Sequence, residues 1–271
     1  MAEHLELETV LYDLGDDNVA TITLNRPDKL NSFNLAMRRD FRDLWAKIRA
    51  DDEVHAVVIR ANGRAFSAGI DVTERAANIE AGTDVGSYSS NPWNAEDPGS
   101  SLSPKLNKVW KPVICAVHGI AAGGAVYWIN EADIVICSDD ASFFDPHVTF
   151  GMTSALEPIG LRWRIPLGEV LRWVLMGNEE RISPERALAI SLVTEITTRD
   201  ELWPRAHAIA ASIAGKPTAA IQGSVKAIWD SLDMTRAQAL HLAMTYTQLG
   251  NPVAEHQVNR AAVEKTKPRI R

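Results

Sequence analysis

The stretch His118–Asn130, HGIAAGGAVYWIN, decides how this chain folds. The apolar run KPVICAVHG (111–119) predicts a strand that enters it, and the residues after Gly124 open a short helix. Gly119, Gly123 and Gly124 therefore leave backbone N–H groups uncovered by side chains at the positive end of a helix dipole. Such a turn suits an anion. A dinucleotide pyrophosphate would require G-x-G-x-x-G, whose middle glycine is missing here. An oxyanion hole would require a second N–H from a separate segment. GRAFSAGIDV (63–72) offers one, because it follows the strand AVVIRA (56–61), Gly69 permits a tight backbone, and the Ile70 N–H is free to point inward.

Outward from these two loops the pattern is strand and helix in alternation. VATITLN (19–25) and AVVIRA are β-branched runs, and between them Phe41, Leu44, Trp45 and Ile48 recur at helical spacing. ADIVICS (132–138) predicts a further strand, so the first part is an α/β core. After RISPERALAISL (181–192), where Ser183 can cap a helix with Pro184 at its first position, the chain turns helical. Helices are expected over 199–215, 218–232, 235–249 and 252–265, with breaks at Gly, Pro or Thr, and no strand beyond LVTEI. This layout predicts an α/β body over residues 1–195 and a helical region over 196–271. Residues 78–104, rich in Gly, Ser, Asn, Asp and Pro, predict a long loop that either lies disordered or covers a site. Its aromatics Tyr88 and Trp93 either face a substrate or dock the loop.

The 271 residues are 46% apolar and 23% charged, a composition that can bury one large core without staples. A formal net charge of −7 and the lack of Lys/Arg clusters interleaved with aromatics argue against a nucleic-acid partner. No apolar run approaches the length of a membrane span, and the acidic start MAEHLELETV lacks a leader's apolar segment. Two cysteines, Cys115 and Cys137, both within apolar runs, form no disulfide framework and fit a reducing cytoplasm.

Four segments taken together are specific: NRPDKLNSFN (25–34), GRAFSAGIDV (63–72), KPVICAVHGIAAGG (111–124) and VEKTKP (263–268). In this order and at these separations they resemble the crotonase superfamily, the enoyl-CoA hydratase/isomerase family, over nearly the whole chain. The resemblance implies a spiral of ββα units and a helical C-terminal part used in self-association, as a homotrimer or a dimer of trimers. It implies acyl-CoA thioesters as ligands, with coenzyme A arriving as part of the substrate and no permanently bound cofactor. Carried over by position, it puts the oxyanion N–H groups on Ile70 and Gly124, and lays Asp28, Lys29 and Leu30 against the CoA. Ala68 and Asp71 would border the adenine through backbone groups, and Lys265 would approach the CoA phosphate from a neighbouring subunit. Lys29 and Lys265 also read as solvated surface charges.

The chain departs from the hydratase pattern at the two positions where that family carries glutamates. Tyr127 stands at the first, and His147, in FFDPHVTFG (143–151), at the second. A phenol is a poor base near neutrality, so Tyr127 is expected to position a hydrogen bond; His147 has a reference pKa matched to proton transfer. GMTSALEPIGLRWRIP (151–166) is a few residues longer than the corresponding hydratase stretch and contains Glu157. That glutamate restores a carboxylate beside the thioester, orients His147, or caps the helix near Pro158. Asp145 is expected to fix the turn that presents His147, and His118 to be a core or supporting histidine. The altered pair leaves the reaction open: hydration or isomerisation, a C–C or thioester hydrolase, or CoA binding without turnover.

Overall fold

The computed structural model describes residues 2–81, 96–259 and 270. Seven strands form the main sheet: β1 (Glu3–Glu6), β2 (Val10–Leu14), β3 (Val19–Leu24), β4 (Ala56–Ala61), β5 (Val113–Val117), β7 (Ile134–Ser138) and β9 (Glu195–Thr197), side by side in that order. β1, β2 and β3 pair antiparallel; from β3 onward every pairing is parallel. β6 (Ile120–Ala122) and β8 (Ser142–Phe144) pair parallel in a separate two-stranded sheet. Strand pairs followed by a helix recur along the chain: β2–β3 precedes α1 (Leu35–Ala50), β5–β6 precedes α4 (Val126–Glu131), and β7–β8 precedes α5 (Leu156–Leu161).

β3 and β5 are buried at every position, as parallel strands covered on both faces must be. One cover is α1. The Asn34 side chain accepts from the Met37 N–H to start it, and Met37, Phe41, Leu44, Trp45 and Ile48 point into the core. At its end the Lys111 ammonium donates to the Ile48 carbonyl at 2.6 Å, satisfying a C-terminal acceptor. The other cover is α8 (Arg199–Ala214), whose Leu202, Ala206, Ala210 and Ala214 lie against Val19, Val58, Ala116 and Ile136. α9 (Thr218–Asp230) and α10 (Arg236–His256) follow, α10 begun by a capping box between Thr235 and Gln238.

The strands expected at 19–25, 56–61 and 132–138 are present, and Ser183 caps α7 (Pro184–Ala189) with Pro184 at its first position. Three features differ. The run 111–119 does not stay one strand: Gly119, at φ +54°, turns the chain out of the main sheet into β6. β1 and β2 were hidden by outward-facing acidic side chains, although Val10, Tyr12 and Leu14 alternate inward. The two helices expected over 235–249 and 252–265 are one helix as far as His256. Pro252 takes an N–H from the ladder, but the Gln248 carbonyl it would have bonded lies on an exposed stretch, where solvent can serve it instead. α2 (Val72–Glu80) takes in the first three residues of the 78–104 segment, which also contains a short helix, α3 (Gly99–Leu102), after residues 82–95; Tyr88 and Trp93 lie outside the described residues. No described helix is long and apolar enough to cross a membrane.

One buried side chain joins the loops that lead to the site. Asn31, fully buried at φ +52°, accepts from the Arg26 N–H at 2.8 Å and donates to the Asn62 and Ala65 carbonyls at 2.8 and 2.9 Å. Asparagine tolerates this left-handed backbone better than most residues. Asn31→Ala would orphan one donor and two acceptors, and chemical denaturation should find it less stable by about 2–4 kcal/mol. A change under about 0.5 kcal/mol would mean that the staple is dispensable.

Candidate active site

The loop after β4 is held on both sides by backbone pairs. Toward β6, the Ser67 N–H donates to the Ile120 carbonyl and the Ala122 N–H to the Ser67 carbonyl, both at 3.0 Å. Toward the start of α1, Phe33 N–H donates to the Gly69 carbonyl at 2.7 Å, and Asp71 N–H to the Phe33 carbonyl at 2.8 Å. The Gly69–Ile70 peptide is trans, so the Gly69 carbonyl that accepts from Phe33 turns the Ile70 N–H the other way. Gly124 follows β6 in a turn that opens α4, where N–H groups have no partner within the helix. Among the described residues, neither the Ile70 nor the Gly124 N–H donates to a protein acceptor.

The two loops touch too closely for side chains. Gly69 has φ +88°, and a Cβ there would stand 2.8 Å from the Ala122 carbonyl oxygen and 3.1 Å from the Gly124 nitrogen. A Cβ on Gly124 would collide with the Phe33 ring. Both glycines are therefore required by space, and they bring the Ile70 and Gly124 amides to the wall of one cleft of about 650 Å³. Tyr127, His147 and Glu157 line the same cleft, so all five residues expected to carry the chemistry meet there.

His147 follows β8 in a one-turn helix. The buried Asp145 accepts from both the His147 N–H at 2.8 Å and its ring Nδ1 at 2.6 Å, while Ser154 Oγ donates to the other Asp145 oxygen at 2.6 Å. Asp145 thus does fix the turn. The hydrogen bond to Asp145 raises the His147 pKa against the opposing effect of burial. At Asp145 burial works to raise the pKa, but the bonds from His147 and Ser154 prevail and hold it down. With Nδ1 committed, Nε2 is the free ring nitrogen, 3.9 Å from Glu157 Oε1.

Glu157 lies in the first turn of α5, and burial raises its pKa while a bond from its own N–H and the nearby His147 oppose. The N-cap of α5 is Ala155 and no side-chain bond caps the helix, so the capping expectation is not met, whereas Glu157 does line the cleft. Tyr127, 5% exposed, packs edge-on against Phe33 with its hydroxyl toward the Glu157 and Asp97 carboxylates. Burial, reinforced by those carboxylates, drives the phenol pKa far above its ordinary value, so the hydroxyl stays protonated.

The other expected positions lie apart from this cleft's chemistry. Asp28 and Lys29 are exposed in the turn Pro27–Lys29, and Ala68 N–H donates to the Leu30 carbonyl at 2.9 Å, which sets Leu30 beside Ala68. The Asp71 carboxylate is occupied by Arg26 at 3.0 Å and by the Glu74 N–H at 3.1 Å. Lys265 falls outside the described residues. His118 does not face the cleft: fully buried, it sets Nε2 3.2 Å from the Gly63 carbonyl, and burial lowers its pKa to about 4. Asp97, Arg75 and Ser154 were missed. Asp97 had a local signal, D-P-G, and its carboxylate accepts from the Gly99 N–H at 2.9 Å to start α3, but nothing in that turn points across the cleft.

The family profile described as enoyl-CoA hydratase/isomerase matches residues 15–270. The 1,2-epoxyphenylacetyl-CoA isomerase of Escherichia coli (strain K12) is 28% identical over 89% of this chain and 90% of its own. The mitochondrial Delta(3,5)-Delta(2,4)-dienoyl-CoA isomerase of Rattus norvegicus is 31% identical over 80% of this chain and 67% of its own. A crystal structure of an enoyl-CoA hydratase/isomerase from Mycobacterium paratuberculosis superposes with a TM-score of 0.81 at 36% identity, covering 90% of each chain.

The Asp145–His147 pair makes stability depend on pH in a definite direction. The folded pKa of His147 is raised, so its contribution is complete below the ordinary value of 6.5 and is lost as pH rises through the folded value. That of Asp145 is lowered, so its contribution is present above 3.8 and is lost as pH falls through the folded value. His147→Gln should therefore lower Tm more at about pH 5.5 than at about pH 9. Thermal melts giving equal losses at both would show that the pair contributes nothing ionic.

Proposed function

The chain belongs to the enoyl-CoA hydratase/isomerase family, and from that footing we propose that it activates an acyl-CoA thioester by gathering enolate charge on the Ile70 and Gly124 N–H groups. The observation that carries this is the pair of amides without protein acceptors at the wall of one cleft. As charge develops on the thioester oxygen, two prealigned donors stabilise it with little reorganisation.

His147 moves the proton. Asp145 engages Nδ1, so the neutral imidazole presents the Nε2 lone pair to the cleft. When Nε2 removes a proton from the acyl chain, the electron pair passes to the thioester oxygen and the imidazolium is stabilised by Asp145. Returned to another carbon, the proton completes an isomerisation; if Nε2 instead takes its proton from a water whose oxygen adds to the β-carbon of a C=C bond, that proton goes to the α-carbon and a hydration results. Tyr127 keeps its proton and orients, and Glu157, whose pKa burial raises, stands 3.9 Å from His147 Nε2. Tyr127 and His147 thus stand in place of the two glutamates.

Asp28, Lys29, Leu30 and Ala68, with the Asp71 backbone, would lie along the coenzyme A, and Lys265 would meet its phosphate across a subunit boundary. Residues 1–195 would form the catalytic body and 196–271 the self-association region of a trimer or a dimer of trimers. The exposed Leu240, Met244, Leu249 and Val253 on α10 support that reading. The buried thiols of Cys115 and Cys137 accord with a cytoplasmic location.

A second reading, hydrolysis of a C–C or thioester bond, is favoured by the Asp145-supported Nε2, which suits activation of water. Turnover of a panel of enoyl-CoA, β-ketoacyl-CoA and cyclic diketone substrates separates the two. His147→Ala should lower kcat by about 10²–10⁴-fold, and Glu157→Gln and Tyr127→Phe should lower it less. Asp145→Asn should move the acidic limb of kcat/KM to lower pH, because His147 loses the partner that raises its pKa. Equal rates for parent and His147→Ala would overturn the assignment of the base, and consumption of diketones alone would replace enolate transfer by hydrolysis.

A further inference from the structure

A second cavity, of about 330 Å³, adjoins the cleft, since Asp97, Tyr127 and Leu156 line both. Helix α4 connects them. Gly124 stands just before it, and Tyr127, Asn130 and Glu131, at i, i+3 and i+4, present one helical face to the second cavity. From Gly124 to Glu131 the backbone advances roughly 10 Å, enough for an acyl group of several carbons to pass Tyr127 and enter.

Three indoles wall the cavity: Trp110, Trp163 and Trp229. Each is set against a cation, with Lys226 Nζ 4.2 Å from the Trp110 ring centre, the Arg162 guanidinium 4.4 Å from that of Trp163, and Lys105 Nζ 5.6 Å from that of Trp229. Trp229 Nε1 also donates to Asp133 at 2.6 Å. Rings held in this way present fixed flat surfaces. Leu106, Leu156 and Ile159, on the same walls, leave about half or more of their surface uncovered, 57%, 49% and 61%. That apolar surface suits an apolar occupant.

The polar part of the wall is acidic: Asp97, Glu131, Asp230 and Asp233. Asp230 is paired with Lys226 at 2.9 Å, and Glu131 accepts the Lys105 and Leu106 N–H groups at 2.6 and 2.9 Å. Among the described residues lining the cavity, the one cation is Lys105, whose ammonium already donates to Asp133 at 2.8 Å and the Val109 carbonyl at 3.2 Å. A carboxylate entering here would lose water and face acidic side chains, and of the described residues that line the cavity only Lys105, already paired, carries positive charge.

Resting on the function proposed above, we infer that this cavity receives the far end of the acyl group and selects a neutral ring, aromatic or alicyclic, over a short chain or a carboxylated one. Saturated thioesters test this without requiring turnover. Calorimetric titration of the full chain with free CoA, butanoyl-CoA, 4-phenylbutanoyl-CoA and 7-carboxyheptanoyl-CoA should show the phenyl compound binding at least about fivefold tighter than butanoyl-CoA. The carboxylated compound should gain less than that. Ile159→Trp, which fills the cavity from α5, and Trp163→Ala, which removes a wall, should each bring the phenyl-to-butanoyl ratio below about fivefold. A parent ratio below that figure, an equal gain for the carboxylated probe, or a ratio unmoved in both variants overturns the inference. If free CoA and butanoyl-CoA bind and the phenyl group adds nothing, the inference alone fails. If no CoA compound binds, the function proposed above fails and takes this inference with it.

Discussion

The structure depends on a backbone constraint: a short segment, Ser67–Asp71, clamped between β6 and Phe33. Each clamp uses main-chain groups and so fixes the peptide planes between them, the trans Gly69–Ile70 peptide setting the Ile70 N–H opposite the bonded Gly69 carbonyl. Gly69 and Gly124 exist to let the backbones approach, since a Cβ on either would meet a carbonyl, an amide nitrogen or the Phe33 ring. What remains unpaired, the Ile70 and Gly124 N–H groups, is the polar resource of the cleft. Unpaired amides at a partly enclosed surface are costly, and the oxyanion role proposed for these two would offset that cost when a ligand oxygen accepts from them.

Around that pair the ionisable groups are driven apart. Asp145, bonded by His147 and Ser154, is kept charged, and through it His147 is made more basic. Glu157 and Tyr127, deeper among apolar neighbours, are pushed toward their protonated forms. The result is a cleft that sets a more basic imidazole beside a phenol that keeps its proton and a carboxyl whose pKa burial raises. Opposed shifts of this kind set acid and base roles in one site without help from the bulk pH.

The C-terminal helices are coupled to the site by a buried ionic group. Asp133, just before β7, accepts from the Lys105 ammonium and from the Val113 N–H at 2.7 Å, and also from Trp229 Nε1 on α9. Burial lowers the pKa of Lys105, and Asp133 opposes that shift. Removing either partner would strand the other without water. Through this group α9 is tied to the strand entering the glycine turn and to the residues flanking α3, so the second cavity has a fixed wall on each side.

The sequence by itself determined the glycine turn, the strands on either side of it, helix α1, the capped helix α7 and the loop that carries Ile70, all local signals of spacing, caps and residue chemistry within a few turns of chain. His147 and Glu157 were picked out by position, through the resemblance to the family. β1 escaped because an edge strand wears charge on its outer face, β2 because it is short and carries Asp13 within it, and α10 ran through Pro252 because an exposed carbonyl can turn to water. Only the tertiary structure decided that Asp97 would face Tyr127 from thirty residues away, that Ser154 would support Asp145, and that three tryptophans from separate segments would enclose one cavity. No local pattern encodes such meetings, since they follow from which surfaces the core brings together, and burial then sets the charge of each group it has placed there.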